Sequence, residues 1–415
     1  MTGHDHETGP SGDANVDRRN FMRGCGAVAA MAAAGLSVDS VAATGADLRA
    51  VLADLPDNWG RWGEDDELGA LNFLGSEQAY RGMEAAMRRG PKGIERFTLQ
   101  LPMTGDTIDV LTGDGDAPTT ETGDPLFPGR TPGRRDNTQD ARTYAEGEAT
   151  PDPGGIKYSD DRFVTELFLH GATHMDALGH AWYGDEVYNG YDESVTAQTK
   201  EFDRAVPGCV DGEPGEVTET RGHSAADISP LAEAGVAGRG VLLDVGRVQG
   251  DDRGWLELGA EVTLEDLRAT ADAQGVDLRK RDIILFRTGA IERVTDPKAE
   301  WDPLNEPGLA FSEELVRWAH EMEIPMIGAD NVAVEKVTQT IDGDQYVIPL
   351  HGALLRDLGV SLNEVMRLEE LAAQCADDGV YDFLFASAPL HVERATGGPV
   401  NPVALKATKP EKKRD

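Results

Sequence analysis

Short apolar runs separated by polar or amphipathic stretches set the rhythm of this chain. Residues 240–245 (Gly-Val-Leu-Leu-Asp-Val), 282–286 (Asp-Ile-Ile-Leu-Phe), 325–328 and 381–385 each read as a buried strand. Between them lie helix signals. Thr263-Leu264-Glu265-Asp266 combines an N-cap with an acidic first turn and predicts a helix to about Ala273. Ser312 caps a second helix that carries Leu315, Trp318 and Met322, and Ser76-Glu77-Gln78 opens one that runs through Met87 and stops near Gly90. Strands alternating with helices define a mixed α/β protein. Residues 162–169 are rich in β-branched and large apolar side chains and predict a mostly buried strand that ends at His170 and Gly171. Residues 104–160 hold many Gly, Pro, Asp and Thr, which predicts a long solvent-facing insertion beside the mouth of a site. Residues 212–222 predict a second such loop, and there are no internal repeats.

The densest chemistry follows the predicted strand. Residues 169–180 read Leu-His-Gly-Ala-Thr-His-Met-Asp-Ala-Leu-Gly-His, so three of the chain's nine His and one Asp fall within one short stretch. Imidazole and carboxylate are the usual ligands of zinc and manganese. In extended backbone His174 and Asp176 share a face, and His180 stands four beyond Asp176. His170, His174 and Asp176 are therefore candidate metal ligands, with His180 just outside. An imidazole's ordinary pKa near 6.5 suits it to take a proton and return it, so His180 is the candidate general acid/base. Trp59, Trp62 and Phe73 are candidate walls of a substrate pocket.

The pattern His170, Thr173, His174, Asp176, His180 resembles the signature of the cyclase-like metal hydrolases, which include bacterial kynurenine formamidase and isatin hydrolase. One position departs, since Ala172 stands where the family has Gly. Weaker similarities follow in the family's order: Asn58–Gly63 with Asp66–Asn72, Ile284–Gly289, Ile327–Asp330, His351–Leu355 with Asn363-Glu364, and Thr396–Pro402. The resemblance spans about residues 56 to 405 and implies a swivelling β/β/α fold with a closed, barrel-like sheet. It implies a divalent cofactor, Zn2+ or Mn2+, and a small-molecule substrate. His351 and Glu364 match a pair that helps hold a second metal in the zinc formamidases, whereas isatin hydrolase has one manganese; both counts stay open. Relatives look dimeric, with the partner chain helping to form the pocket.

Charge narrows the partners. Over 415 residues, 75 acidic groups face 39 basic ones, only ten of them Lys, for a formal net charge of −36. Such a surface repels nucleic acid and anionic membranes. With Lys scarce, it is similar to proteins that stay soluble in concentrated salt. The segment Asp17-Arg18-Arg19-Asn20-Phe21-Met22-Arg23, with an Ala-rich run after it, resembles a twin-arginine export signal, so the expected location is outside the cytoplasm. No apolar run reaches the roughly 20 residues of a membrane span. Cys25, Cys209 and Cys375 make no disulfide framework. The expected organisation is a leader over 1–45, one hydrolase domain over 46–405 carrying the insertion, and a flexible tail over 406–415. The expected activity is hydrolysis of a cyclic or linear amide. The alternatives are a lactone or ester hydrolase of the same fold, and an exported metal-bearing binding protein without turnover.

Overall fold

The computed structural model describes residues 47–90, 93–101, 135–163, 167–201, 219–296 and 298–408. The leader, Cys25, Cys209, residues 102–134 and the end of the tail lie outside the described residues. Nine strands make the main sheet: β1 (Ile94–Thr98), β2 (His174–Asp176), β3 (Val236–Asp244), β4 (Ile283–Arg287), β5 (Met326–Ala329), β6 (Ser361–Glu364), β7 (Asp382–Ser387), β8 (Gly397–Pro399) and β9 (Val403–Ala407). Their order is β1-β9-β7-β3-β4-β5-β6-β2-β8. The central four, β3 to β6, are mutually parallel, and every other neighbour is antiparallel. The sheet curls until distant strands meet. Gln100, past β1, bridges Met366, past β6, and Arg367 N donates to Leu99 O at 2.8 Å. This is the curled, barrel-like sheet with flanking helices that the resemblance implies.

The parallel strands are largely buried because both faces of the sheet are covered, and their centres carry the apolar runs. Val241, Leu242 and Leu243 of β3 and Ile283 to Phe286 of β4 have no exposed surface. The long helices are α1 (Ser76–Met87), α2 (Leu264–Gln274), α3 (Glu313–Glu321) and α4 (Glu369–Asp378). The caps read from the sequence form. Thr263 Oγ1 accepts from Asp266 N at 3.2 Å while Asp266 Oδ2 accepts from Thr263 N at 2.8 Å, and Ser312 Oγ accepts from Leu315 N at 3.1 Å. Among the described residues no helix is long and apolar enough to cross a membrane.

Two expectations change. Of the strand predicted over 162–169, the described part is Asp161–Phe163, paired with Arg135–Asn137, with Phe163 exposed; residues 164–166 lie outside the described residues, residues 167–169 have no strand pairing, and the strand of the motif is β2 itself. Within the expected insertion, Ala141–Glu146 is helical with Asp140 as its cap, and none of its residues is buried. The tail starts later than residue 406. Lys406 and Ala407 belong to β9, and Lys406 Nζ, fully buried, holds both oxygens of Asp378 at 2.7 and 2.6 Å. A buried carboxylate on α4 turns a basic residue near the terminus into a structural one.

Candidate metal centre

His174 and Asp176 sit two apart on β2, so their side chains leave the same face. The ladder sets Glu364, the last residue of β6, directly opposite His174. His351 closes the short turn Pro349–His351, which runs into a π-helical turn over Gly352–Asp357, a distortion that favours functional sites. His170 stands in the turn before β2 and packs on Gly397 of β8; a Cβ at residue 397 would collide with its Nε2.

These five side chains converge. His170 Nε2 and His174 Nε2 lie 3.4 and 3.3 Å from Asp176 Oδ1. His351 Nε2 lies 3.7 Å from Asp176 Oδ2 and 3.3 Å from Glu364 Oε1, and His174 Nε2 is 3.2 Å from Glu364 Oε2. Two overlapping sets could each hold a cation: His170, His174 and Asp176, and Asp176, His351 and Glu364, with the ligand atoms of each set within 4.8 Å of one another. Asp176 is common to both. The donor set fits a divalent ion. Both oxygens of Asp176 and Oε1 of Glu364 are buried and accept no hydrogen bond. A buried carboxylate without donors is costly unless a cation meets it.

The charges say the same. Burial disfavours the His174 imidazolium, yet Asp176 and Glu364 overcome it and lift its pKa to about 9. Burial opposes the charged form of Asp176 too, but the charges of His180, His174 and His170 hold its carboxyl far below the usual range. The carboxylates thus demand positive charge, which protons on the imidazoles or a metal can meet.

A second ring of groups orients the ligands. Glu335, buried, accepts from His351 N and faces His351 Nδ1, both at 2.7 Å, and also takes Leu350 N and Gln339 Nε2, each at 2.8 Å. The ring's Nε2 is thereby turned to the cluster. His174 Nδ1 faces Ala172 O at 2.8 Å. Thr173 Oγ1 accepts from Leu101 N at 2.8 Å and donates to Val365 O at 2.5 Å, tying the motif to β6. Val334, Ile348 and Val365 hold left-handed backbone at φ 56°, 43° and 56°. That conformation is rare for β-branched residues and costs roughly 1–3 kcal/mol apiece. Each stands beside or near a site carboxylate or imidazole: Glu335, His351 and Glu364. The surrounding bonds impose the strain; Val365 N, for one, donates to Asn331 O at 2.9 Å.

His180 stacks on His170 with ring centroids 4.4 Å apart and lies 6.2 Å from the His351 ring, partly open to solvent. The three aromatics behave differently. Trp62 and Phe73 meet edge to face at 5.0 Å beside Arg61 and Arg281. Arg61 and Arg281 both pair with Glu323, at 3.0 and 2.6 Å. Arg281 precedes β4 and Glu323 precedes β5, so this group stands at the N-terminal ends of the parallel strands. The candidate ligands gather at the C-terminal end of β6. Trp59 donates to Arg356 O at 2.8 Å beneath the Arg356 guanidinium. Core packing and Arg–aromatic stacking hold these rings, and Trp62 and Phe73 stand at the strand ends opposite the candidate ligands. Sequence reasoning missed Glu335, because a lone Glu in Val-Glu-Lys-Val carries no spacing signal.

The curled sheet with a His-rich site on its β2 and β6 ends defines a class, and comparison with known proteins gives it a name. The profile of the Cyclase family matches residues 117–336. The chain belongs to the Cyclase family. A solved structure described as a novel cyclase is 31% identical, with 85% of this chain and 98% of that one covered and a TM-score of 0.64. An isatin hydrolase bound to the product analogue thioisatinate is 16% identical, covering 81% and 100%, with a TM-score of 0.46. Isatin hydrolase A from Ralstonia solanacearum is 16% identical, covering 78% and 95%, with a TM-score of 0.46. No curated protein matches the chain.

Proposed function

We propose that this protein is a metal-dependent hydrolase that opens a cyclic or linear amide. One observation carries the reading: both oxygens of Asp176 and Oε1 of Glu364 are buried without a hydrogen-bond partner and are ringed by the Nε2 atoms of His170, His174 and His351. When bound there, a divalent cation supplies Lewis acidity; it acidifies water from about 15.7 to near 7 and polarises a carbonyl. His170, His174 and Asp176 would hold it, and His351 and Glu364 with Asp176 would offer a second position. His180 is the general acid/base. It takes a proton from the attacking water and delivers it to the leaving nitrogen. Its stacking on His170 keeps it beside the ligands, and its partial exposure leaves it open to substrate.

The test is metal analysis of the purified chain, followed by hydrolysis of a formamide, isatin and a lactone in concentrated salt, before and after chelation. Amide opening that stops on chelation and returns with Zn2+ or Mn2+ supports the reading. Lactone opening alone favours an ester-type hydrolase. Bound metal with no turnover on any substrate favours a binding protein.

A further inference from the structure

His180 sits at the end of a tight turn, and the turn is held from behind. His180 N donates to Ala177 O at 3.0 Å, Ala177 N to Thr396 O at 2.9 Å, and Gly179 N to Ala226 O at 2.9 Å. Ala226 is itself clamped, because its N–H donates to the Glu67 carboxylate at 2.6 Å. Ala226 adopts left-handed backbone at φ 54°, unfavourable for Ala, so it stays there only because both of its peptide groups are engaged. The His223 ring fills the space over Gly179. A Cβ at residue 179 would stand 2.8 Å from His223 Nδ1 and 2.9 Å from Ala226 O. His223 N in turn donates to Arg394 O at 3.0 Å. His223 is almost wholly buried and its Nδ1 has no hydrogen-bond partner, so it acts here by shape. Glu67, His223, Asp227 and Arg394 line a shared, open pocket of about 690 Å³.

We propose that Glu67 and His223 are positioning residues for His180: together with Ala226 they form a latch that sets the 177–180 turn, and so the imidazole, against the metal ligands. The chain of contacts is short and polar, running Glu67, Ala226, Gly179, His180. It draws on the segment 223–227, far from the motif in sequence, and on Glu67 in the N-terminal part. A turn fixed at only Thr396 would leave the residue before His180 free to rotate. The proposal rests on His180 being the proton carrier of the reaction above.

The test uses full-length protein labelled with 15N-histidine, so that the ring signals are few, with and without Zn2+. Glu67→Ala removes the acceptor for Ala226 N, Glu67→Gln keeps it, and Gly179→Ala drives a methyl into His223 and Ala226. We expect the His180 ring signals to shift or broaden in Glu67→Ala and Gly179→Ala, to return in Glu67→Gln, and the His351 signals to stay in place. With a turned-over amide, kcat should fall on the order of 10²-fold in Glu67→Ala at unchanged KM and metal content, because a small displacement of a reacting group costs about that much. His180 signals unchanged in both disrupting variants overturn the latch, as does an equal loss in Glu67→Gln. If Glu67→Ala does not fold, Gly179→Ala and Glu67→Gln still decide. If the wild type turns over none of the amides, the hydrolase reading fails, while the ring signals judge the latch without substrate.

Discussion

Two buried carboxylate sites in this molecule are built in opposite ways. Asp378 on α4 accepts from Lys406 Nζ through both oxygens and also takes Val380 N at 3.0 Å and Gln374 Nε2 at 3.2 Å; Lys406 gives a further bond to Ala407 O at 3.2 Å. Every demand for charge is met inside the chain. Asp176 on β2 is equally buried, but its oxygens face only imidazole nitrogens, at 3.3 to 3.7 Å, and make no well-formed hydrogen bond. Burial of charge is common to both. Unspent acceptor capacity separates a structural pair from a site that takes a cation.

The sharpest way to break that comparison is to remove each carboxylate. Asp176→Ala should abolish metal binding, since both candidate sets lose a member. Asp378→Ala should leave metal content intact and cost stability of about 3–5 kcal/mol, because Lys406 is stranded in the interior. Elemental analysis and urea unfolding read the two effects. Full metal content in Asp176→Ala would defeat the ligand assignment.

The next largest effect belongs to His180. His180→Ala should keep bound metal and lower turnover by about 10²–10⁴-fold, the usual worth of a general acid/base. Metal loss in that variant would recast His180 as a ligand. A further consequence concerns pH. His174, lifted to about 9, holds its proton in the metal-free protein. Metal and proton compete for the same nitrogen, so apparent affinity should climb with pH and level off near pH 9. The same shift has a stability sign. The folded pKa lies above the unfolded value near 6.5, so the metal-free fold gains from His174 below about pH 6.5 and loses that gain as pH rises through about 9. Metal titrations across that range check the first statement, and unfolding of the metal-free protein checks the second.

How much of this could be read beforehand depended on whether the signal was local. His170, His174, Asp176 and His180 lie within one stretch, so spacing alone put them on the page. His351 and Glu364 needed the fold, and the resemblance supplied them. Parallel strands such as β4 announced themselves by unbroken apolar runs, because both faces are buried. β8 did not, since Gly-Gly-Pro has no strand preference and pairs as an edge of the sheet. The start of the 162–169 segment misled for the converse reason: its composition is that of a buried strand, but Phe163 stays exposed. Glu335 and the Glu67–Ala226 contact were invisible, because hydrogen bonds across long sequence separations leave no periodicity.

The aromatic pair at the other end of the sheet offers the smallest and most discriminating test. Trp62 and Phe73 are candidate pocket walls by sequence because they are large and apolar and precede the motif. Their neighbours are the Arg61 and Arg281 guanidinium groups, at 4.6 and 5.5 Å from the Phe73 ring, with Glu323 bridging the two charges. β5 alone spans four residues between that corner and the ligand end, roughly 13 Å at 3.3 Å per residue, which sets these rings apart from the ligands in the same chain. Trp62→Ala should therefore lower stability by about 0.5–1.5 kcal/mol, the worth of an aromatic pair, and leave KM within about twofold of wild type. A KM raised about tenfold with stability unchanged would return these rings to the substrate's surroundings and erase the distinction between the two ends of the sheet.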